Sequence, residues 1–223
     1  MQQKLEEVLF QITQQSIKVH GAGRTDTGVH AKQMIAHLDS DSLLDEHTVY
    51  QLNSLLPKDI VVHSIDRVSD TAHARFDALS RTYIYRIATE KDAFNYDFAY
   101  HFFKALNIER MNEACELLLN HKDFQCFSKS NTDVKTYHCD IMYAEWEEVG
   151  TELHFKIKAD RFLRNMVRAI VGTMIEIGLG KMSIEQLVQV IASKDRGQAG
   201  YSVPAHGLYL QQIEYPSTIK NKS

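Results

Sequence analysis

The segment from Gly21 to Ala31 carries the residue types in this sequence that are best suited to chemistry. It reads Gly-Ala-Gly-Arg-Thr-Asp-Thr-Gly-Val-His-Ala, and its three glycines let the backbone approach a ligand closely or adopt positive φ. Arg24 and Asp26 are two residues apart, which in extended backbone places both side chains on one face. A neighbouring arginine favours an ionised carboxylate, so Asp26 suits a nucleophile or a base. The same pair also fits a tight turn with a surface ion pair, and composition alone leaves both interpretations open.

Two other kinds of site are disfavoured by the residues present. The loop has no Gly-Lys-Ser/Thr, so it is not a nucleotide-binding Walker A loop. Asp26 and His30 are four residues apart, but no third ligand lies nearby at usable spacing, and the sequence predicts no metal site. The three cysteines, Cys115, Cys126 and Cys139, are an odd number without metal-like spacing. This usage predicts reduced thiols in a cytoplasmic protein.

The overall composition does not by itself point to nucleic acid. The chain has 223 residues and a formal net charge of −4, so an RNA site on it needs a local basic surface. Arg161, Arg164 and Arg168 share one helical face at i, i+3 and i+7, opposite an apolar face that should be core. We expect this basic stripe to line a cleft. No run of 18 apolar residues occurs, so we expect no membrane span.

The nine residues from Gly23 to Ala31 closely resemble the catalytic motif of the tRNA pseudouridine synthase A family. Further segments resemble those of the family in the same order along the chain, and the resemblance covers essentially all of it. These segments are His73–Phe76, Arg81–Tyr85, Phe162–Gly172 and Pro204–Leu210.

The resemblance implies a role for four residues. Asp26 matches the family's catalytic aspartate, and Tyr83 matches the tyrosine that lies against the target base. Arg24 matches the arginine of the catalytic loop, to which we assign phosphate contact and extrusion of the base. Arg168 matches the arginine that pairs with the carboxylate. On their own, tyrosines in a strand are usually packing residues, so the role of Tyr83 depends on the resemblance.

The resemblance also implies a fold, a reaction and partners. The fold is α+β, with two ferredoxin-like (RRM-like) units whose mostly antiparallel sheets flank a central RNA-binding cleft, in a homodimer. The reaction converts uridine to pseudouridine at positions 38, 39 and 40 of the anticodon stem-loop of tRNAs, without a metal or a small-molecule cofactor. We therefore expect a cytoplasmic isomerase that acts on tRNA and has no membrane partner.

One departure from the family pattern leaves an alternative open. The family normally begins with a strand and a Tyr-Asp-Gly loop before its first helix, whereas this sequence starts at that helix. Loss of a sheet strand exposes unpaired backbone groups, which predicts reduced stability. A non-catalytic RNA-binding relative, inactivated by that loss, is the alternative function. A nucleoside hydrolase-like enzyme, which would release free base, is a third.

The elements that must position these residues follow from periodicity. We predict two domains, residues 1–100 with the catalytic loop and residues 101–223, because the loose polar and aromatic stretch 90–104 separates two α+β patterns. Apolar spacing of three and four residues predicts helices over 2–14, 49–56, 108–121, 163–174 and 184–192. Alternation predicts strands over 16–20, 34–38, 60–68, 79–89, 137–148, 152–159 and 208–214, with a hairpin near Gly150.

Overall fold

The computed structural model describes residues 1–129 and 134–219, and contacts divide these into two compact units. Among the described residues, the first unit comprises Met1–Arg24, Met34–Ala78 and 215–219, and the second comprises Thr25–Gln33, 79–129 and 134–214. Helices and mostly antiparallel strands occur together in the described residues, which confirms the predicted α+β class. None of the described helices is long and apolar enough to cross a membrane.

The first unit is built on two helices. They are α1 (Gln2–Thr13) and α2 (Glu46–Leu55), and a short antiparallel pair is formed by β1 (His20–Gly21) and β3 (Ala36–His37). The α2 helix begins with a capping box, in which Asp45 accepts from the backbone N–H of Thr48. The core of this unit joins both helices to Ile17 and Val19.

The strands predicted for the first unit are mostly wrong. Of 16–20 and 34–38, only the two-residue strands β1 and β3 are present, and 60–68 is not a strand. The apolar alternation of 60–68 reflects packing, because Ile60, Val62 and Ile65 pack against the core of this unit. The hydrogen bonds of Val62 go elsewhere, since the Asn53 side chain on α2 bonds its N–H and its carbonyl, both at 2.8 Å.

The second unit is organised around a six-stranded sheet within the described residues. Its strands are β2 (His30–Ala31), β4 (Ser80–Ala88), β5 (Tyr100–His101), β6 (Ile141–Val149), β7 (Glu152–Ala159) and β8 (Leu208–Glu214). The order is β2-β8-β4-β7-β6, with β5 also paired to β4. The β2–β8 and β4–β5 pairs are parallel and the others are antiparallel. The predicted hairpin at Gly150 is confirmed, although β6 begins four residues later than predicted.

Three helices complete the second unit. They are α3 (Ile108–Leu119), α4 (Met166–Gly178) and α5 (Ile184–Ser193), close to the predicted bounds. The α4 helix is buried along most of its length, and its apolar side chains form the core together with Tyr85, Trp146 and Phe155 from the sheet. Such burial explains why α4 is the most continuously apolar segment of the sequence.

The contacts do not divide the chain at residue 100. Strand β4, which precedes that position, pairs with β7 and β8, which follow it. The loop Thr25–Gln33 also belongs to the second unit, because β2 at its end pairs with β8. The division into domains of residues 1–100 and 101–223 stays a prediction about independently folding parts.

Candidate active site

Asp26 lies in a tight turn that fixes its backbone. The N–H of Val29 donates to the carbonyl of Asp26 at 3.1 Å, which closes a β-turn. Gly28, the third residue of this turn, has a φ of 87°, a conformation that glycine adopts without the cost that a side chain would add. The turn passes directly into β2, so the carboxylate is anchored to the edge of the six-stranded sheet. This arrangement accounts for the glycine two residues after the aspartate.

The Asp26 carboxylate is paired with Arg168. The Nη1 of Arg168 donates to Oδ2 of Asp26 at 3.0 Å, and both side chains are largely shielded, with exposed fractions of 20% and 26%. The contact predicted between these residues, which are 142 positions apart, is therefore present. A charge-assisted hydrogen bond of this length fixes the orientation of the carboxylate.

A second hydrogen bond fixes Arg168 itself. Its Nε donates to the carbonyl of Val203 at 2.7 Å, while the N–H of Val203 donates to the carbonyl of Arg168 at 3.2 Å. We call residues 200–203 the α4-flanking segment, because it runs along this helix. The segment is also bonded to α4 at Gly200, whose N–H donates to Oγ1 of Thr173 at 2.8 Å. Arg168 is thus held at two points, by a backbone carbonyl and by the carboxylate.

Tyr83 lies on β4 in the same unit as Asp26. Its ring makes a T-shaped contact with the ring of Phe162, with centroids 5.2 Å apart. Burial raises the pKa of Tyr83 to about 12, and the negative charge of Asp26 adds to the effect while Arg81 opposes it. The hydroxyl is therefore neutral at physiological pH and sits within electrostatic reach of the carboxylate. Tyr83 is half-buried, so part of the side chain is open to solvent.

The predicted basic stripe is only partly helical. Helix α4 begins at Met166, so Arg161 and Arg164 precede it and Arg168 lies in its first turn. Arg164 nevertheless approaches the site, with its Nε 3.8 Å from Oδ1 of Asp26. The apolar face opposite the stripe is buried, as predicted. Its members are Leu163, Val167, Ile170 and Met174.

The remaining predicted residue, Arg24, lies in the first unit, where its side chain is exposed. Sequence reasoning missed two contacts of the site, that of Arg168 with the Val203 carbonyl and that of Tyr83 with the Phe162 ring. The first carries no side-chain signal at all. The second is made by a residue of the segment Phe162–Gly172 that resembles the family, where an aromatic residue next to a basic stripe was the available signal.

No group of three or more potential metal ligands occurs among the described residues. The cysteines are free and buried, and burial raises the pKa of the thiols of Cys115, Cys126 and Cys139 to about 12. A thiol with such a pKa is protonated at neutral pH and is a poor nucleophile.

The two hydrogen bonds of Arg168, to Val203 and to Asp26, lead to a testable prediction. Arg168→Met should lower kcat roughly 10- to 100-fold with little change in KM, because the carboxylate loses its partner and its fixed orientation. Arg168→Lys keeps the charge but lacks the guanidinium that bonds the Val203 carbonyl and the Asp26 carboxylate at the same time. Its kcat should therefore lie between those of Arg168→Met and the unsubstituted chain. Steady-state kinetics, with melting temperatures to exclude unfolding, measure this. Full kcat in Arg168→Met would show that the pairing is not needed.

Comparison with known proteins gives consistent matches. A family model described as tRNA pseudouridine synthase matches residues 114–216. A protein of Parabacteroides distasonis named tRNA pseudouridine synthase A is 49% identical over 221 residues, which are 98% of this chain and 88% of the relative. Proteins of the same name from Porphyromonas gingivalis and Bacillus subtilis are 48% and 39% identical, over 98% and 96% of this chain and 89% of each relative.

Proposed function

The chain belongs to the tRNA pseudouridine synthase A family, and from that premise we propose that it modifies positions 38, 39 and 40 of the tRNA anticodon stem-loop, with Asp26 as the catalytic carboxylate. Its activity is that of an isomerase that converts uridine in tRNA to pseudouridine. The observation that carries the assignment of Asp26 is its ion pair with Arg168, since this hydrogen bond orients a carboxylate that lies within electrostatic reach of Tyr83.

The reaction makes modest demands on the protein. The N1–C1′ bond of uridine breaks, the uracil turns, and C5 joins C1′, while the hydrogen of C5 is lost and N1 gains one. No electrons are exchanged with another molecule, so the residues must supply a carboxylate, a binding site for the base and contacts to RNA. A carboxylate at this position is compatible with attack on C1′, with addition to C6 and with abstraction of the C2′ proton.

The target base is stacked within the stem-loop and must be extruded, at a cost of a few kcal/mol. We assign Tyr83 to the flipped base, on which an aromatic ring contributes roughly 1–3 kcal/mol by stacking. The contact with Phe162 supports this assignment, because a T-shaped aromatic pair favours one orientation of the Tyr83 ring. We assign Arg24 to phosphate contact during extrusion, a role that suits its exposed guanidinium.

Tyr83 gives a prediction with a built-in control. Tyr83→Leu should lower kcat/KM about tenfold, because a leucine does not stack on the base. Tyr83→Phe keeps the ring and should retain most activity. Since the pKa of Tyr83 is about 12, its hydroxyl does not ionise below roughly pH 11, and the alkaline side of the pH–rate profile should be the same in Tyr83→Phe up to pH 10.

Rates of both variants across pH 6–10 measure this. Equal losses in the leucine and phenylalanine variants would mean that the hydroxyl, rather than the ring, contributes to the reaction.

Product identity tests the proposed function. The purified chain is incubated with a tRNA transcript, and the nucleosides are separated after digestion. We expect pseudouridine and no free uracil. Free uracil would mean hydrolysis of the glycosidic bond, and binding without any product would mean a non-catalytic RNA-binding protein; either result contradicts the proposal.

We also propose that the chain forms a homodimer and acts on tRNA in the cytoplasm. The resemblance to the family supports this proposal, and sedimentation of the purified chain measures the mass of the assembly.

A further inference from the structure

Two arginines approach the Asp26 carboxylate, and they do so in different ways. Arg168 makes full hydrogen bonds, to Asp26 at 3.0 Å and to the Val203 carbonyl at 2.7 Å. The Nε of Arg164 is 3.8 Å from Oδ1 of Asp26, which is beyond hydrogen-bonding distance. The side chain of Arg164 is 60% exposed, against 20% for Arg168. Arg168 is therefore a fixed part of the site, and Arg164 is a solvated group at its open side.

The backbone at Arg164 is anchored although its side chain is not. Its carbonyl accepts from the N–H of Lys129 at 3.0 Å. The next residue, Asn165, has a φ of 69° and donates from Nδ2 to Oγ of Ser202 at 2.6 Å. Asparagine tolerates this left-handed conformation better than most residues. The guanidinium of Arg164 thus extends toward Asp26 from a fixed point, while the side chain keeps its own freedom.

A guanidinium in this position has unused capacity. It carries five N–H donors, and its contact with Asp26 is loose and screened by water, so little free energy is lost when the pair separates. Arginine binds phosphate oxygens with paired, charge-assisted hydrogen bonds. A nucleotide whose ribose reaches Asp26 brings its own phosphates to the same place. The phosphate is then the stronger partner for Arg164.

We propose that Arg164 binds a phosphate of the target nucleotide and leaves Asp26 as the nucleotide enters. Its departure uncovers Oδ1, the carboxylate oxygen that Arg168 does not bond, for the reaction. Arg164 is thus a substrate-binding residue, distinct from Arg168, which orients the carboxylate. This inference rests on the proposed function, because it takes a tRNA nucleotide as the ligand at Asp26.

The salt dependence of tRNA binding distinguishes phosphate binding by Arg164 from the alternative, in which Arg164 only stabilises the Asp26 carboxylate. The ligand is a tRNA transcript with cytidine at positions 38 to 40, so that no conversion disturbs the equilibrium. Each phosphate contact contributes about 0.7 to 0.9 to the slope of log affinity against log salt. Arg164→Met should weaken binding about fivefold at low salt. It should also reduce the slope by the contribution of one phosphate contact, about 0.7 to 0.9.

Two further variants complete the design. Arg164→Lys keeps a positive charge, so it should retain the slope of the unsubstituted chain with a smaller loss of affinity. Arg110→Met is the matched control, because Arg110 is an exposed arginine of the same unit, on α3 and within electrostatic reach of Glu185, and should change neither affinity nor slope. The same variants are assayed for turnover on a transcript with uridine, where Arg164→Met should raise KM more than it lowers kcat.

The outcomes are distinct. An unchanged slope and affinity in folded Arg164→Met, whatever its kcat, would overturn the inference, because Arg164 would then serve only the carboxylate. A loss of slope in Arg110→Met equal to that in Arg164→Met would also overturn it, because the effect would not be local. If the unsubstituted chain binds tRNA with the expected dependence on Arg164 but makes no pseudouridine, the proposed reaction fails while the phosphate contact stands.

Discussion

Replacing Asp26 with asparagine should reduce pseudouridine formation by at least 100-fold while tRNA still binds. Asparagine has nearly the shape of aspartate, but its amide is neither a nucleophile nor a base at neutral pH. Roles of that kind typically contribute 10²- to 10⁴-fold to the rate. Binding should persist, because a carboxylate repels phosphate, so its loss removes a repulsion and leaves Arg164 and Arg168 in place.

Release of tritium from C5-labelled uridine in tRNA measures the rate, and filter binding measures affinity. Asp97→Asn is the control for the change in charge, since Asp97 is an exposed aspartate of the same unit, and it should retain full activity. Activity of Asp26→Asn within tenfold of the unsubstituted chain would show that Asp26 is neither a nucleophile nor a base.

The second large effect is on stability and concerns Gly172 of α4. A Cβ at this position would overlap the carbonyl oxygen of Tyr201 and lie 2.9 Å from its carbonyl carbon. Both atoms belong to the backbone of Tyr201, which lies in the α4-flanking segment, so no side-chain rotation relieves the overlap. Gly172→Ala should therefore lower the free energy of unfolding by about 3 kcal/mol, at the upper end of typical overpacking costs, and Tm by roughly 6–12 °C.

The same change should also impair the site. Displacement of the α4-flanking segment moves the Val203 carbonyl away from Arg168, so kcat should fall in the protein that remains folded. Gly178→Ala, at the end of the same helix, is the comparison, because its Cβ would meet a side chain, the buried Met111 at 2.5 Å from Sδ, rather than backbone, and its Tm should fall less than that of Gly172→Ala. Thermal unfolding of both variants decides the matter. An equal Tm for Gly172→Ala and the unsubstituted chain would mean that α4 and Tyr201 are not in close contact.

Periodicity predicted the longer strands and the helices of the second unit, but it missed the two-residue strands β2 and β5. The strand β4, the β6–β7 hairpin, α3 and α5 each carry the apolar spacing of their element, and each lies within a few residues of its predicted bounds. Burial explains this success, because a strand or helix packed on one core has a pattern that its environment dictates.

The first unit shows where the same reasoning fails. Residues 60–68 alternate like a strand, yet the Asn53 side chain takes the backbone hydrogen bonds of Val62. Alternation records which side chains face the core and does not record where the backbone bonds. Side-chain hydrogen bonds from an asparagine nine residues earlier therefore leave no trace in the apolar pattern of 60–68.

The site was only partly accessible to sequence reasoning. Pairing of Asp26 with Arg168 followed from the resemblance to the family, because local spacing says nothing about residues 142 positions apart. Contacts made by backbone atoms were not predictable in this way. The Val203 carbonyl that orients Arg168, and the close approach of Tyr201 to Gly172, depend on how the α4-flanking segment lies on the helix.

The most direct test uses three tRNA transcripts that each keep a single anticodon-stem-loop uridine, at position 38, 39 or 40, and one that keeps a uridine elsewhere in the loop. Each transcript is incubated with the unsubstituted chain and with Asp26→Asn, and pseudouridine is mapped in the product. We predict conversion at all three positions by the unsubstituted chain, none at the other uridine, and less than about 1% of that rate with Asp26→Asn. Absence of pseudouridine at all three positions with the unsubstituted chain, or comparable conversion by Asp26→Asn, would contradict the account.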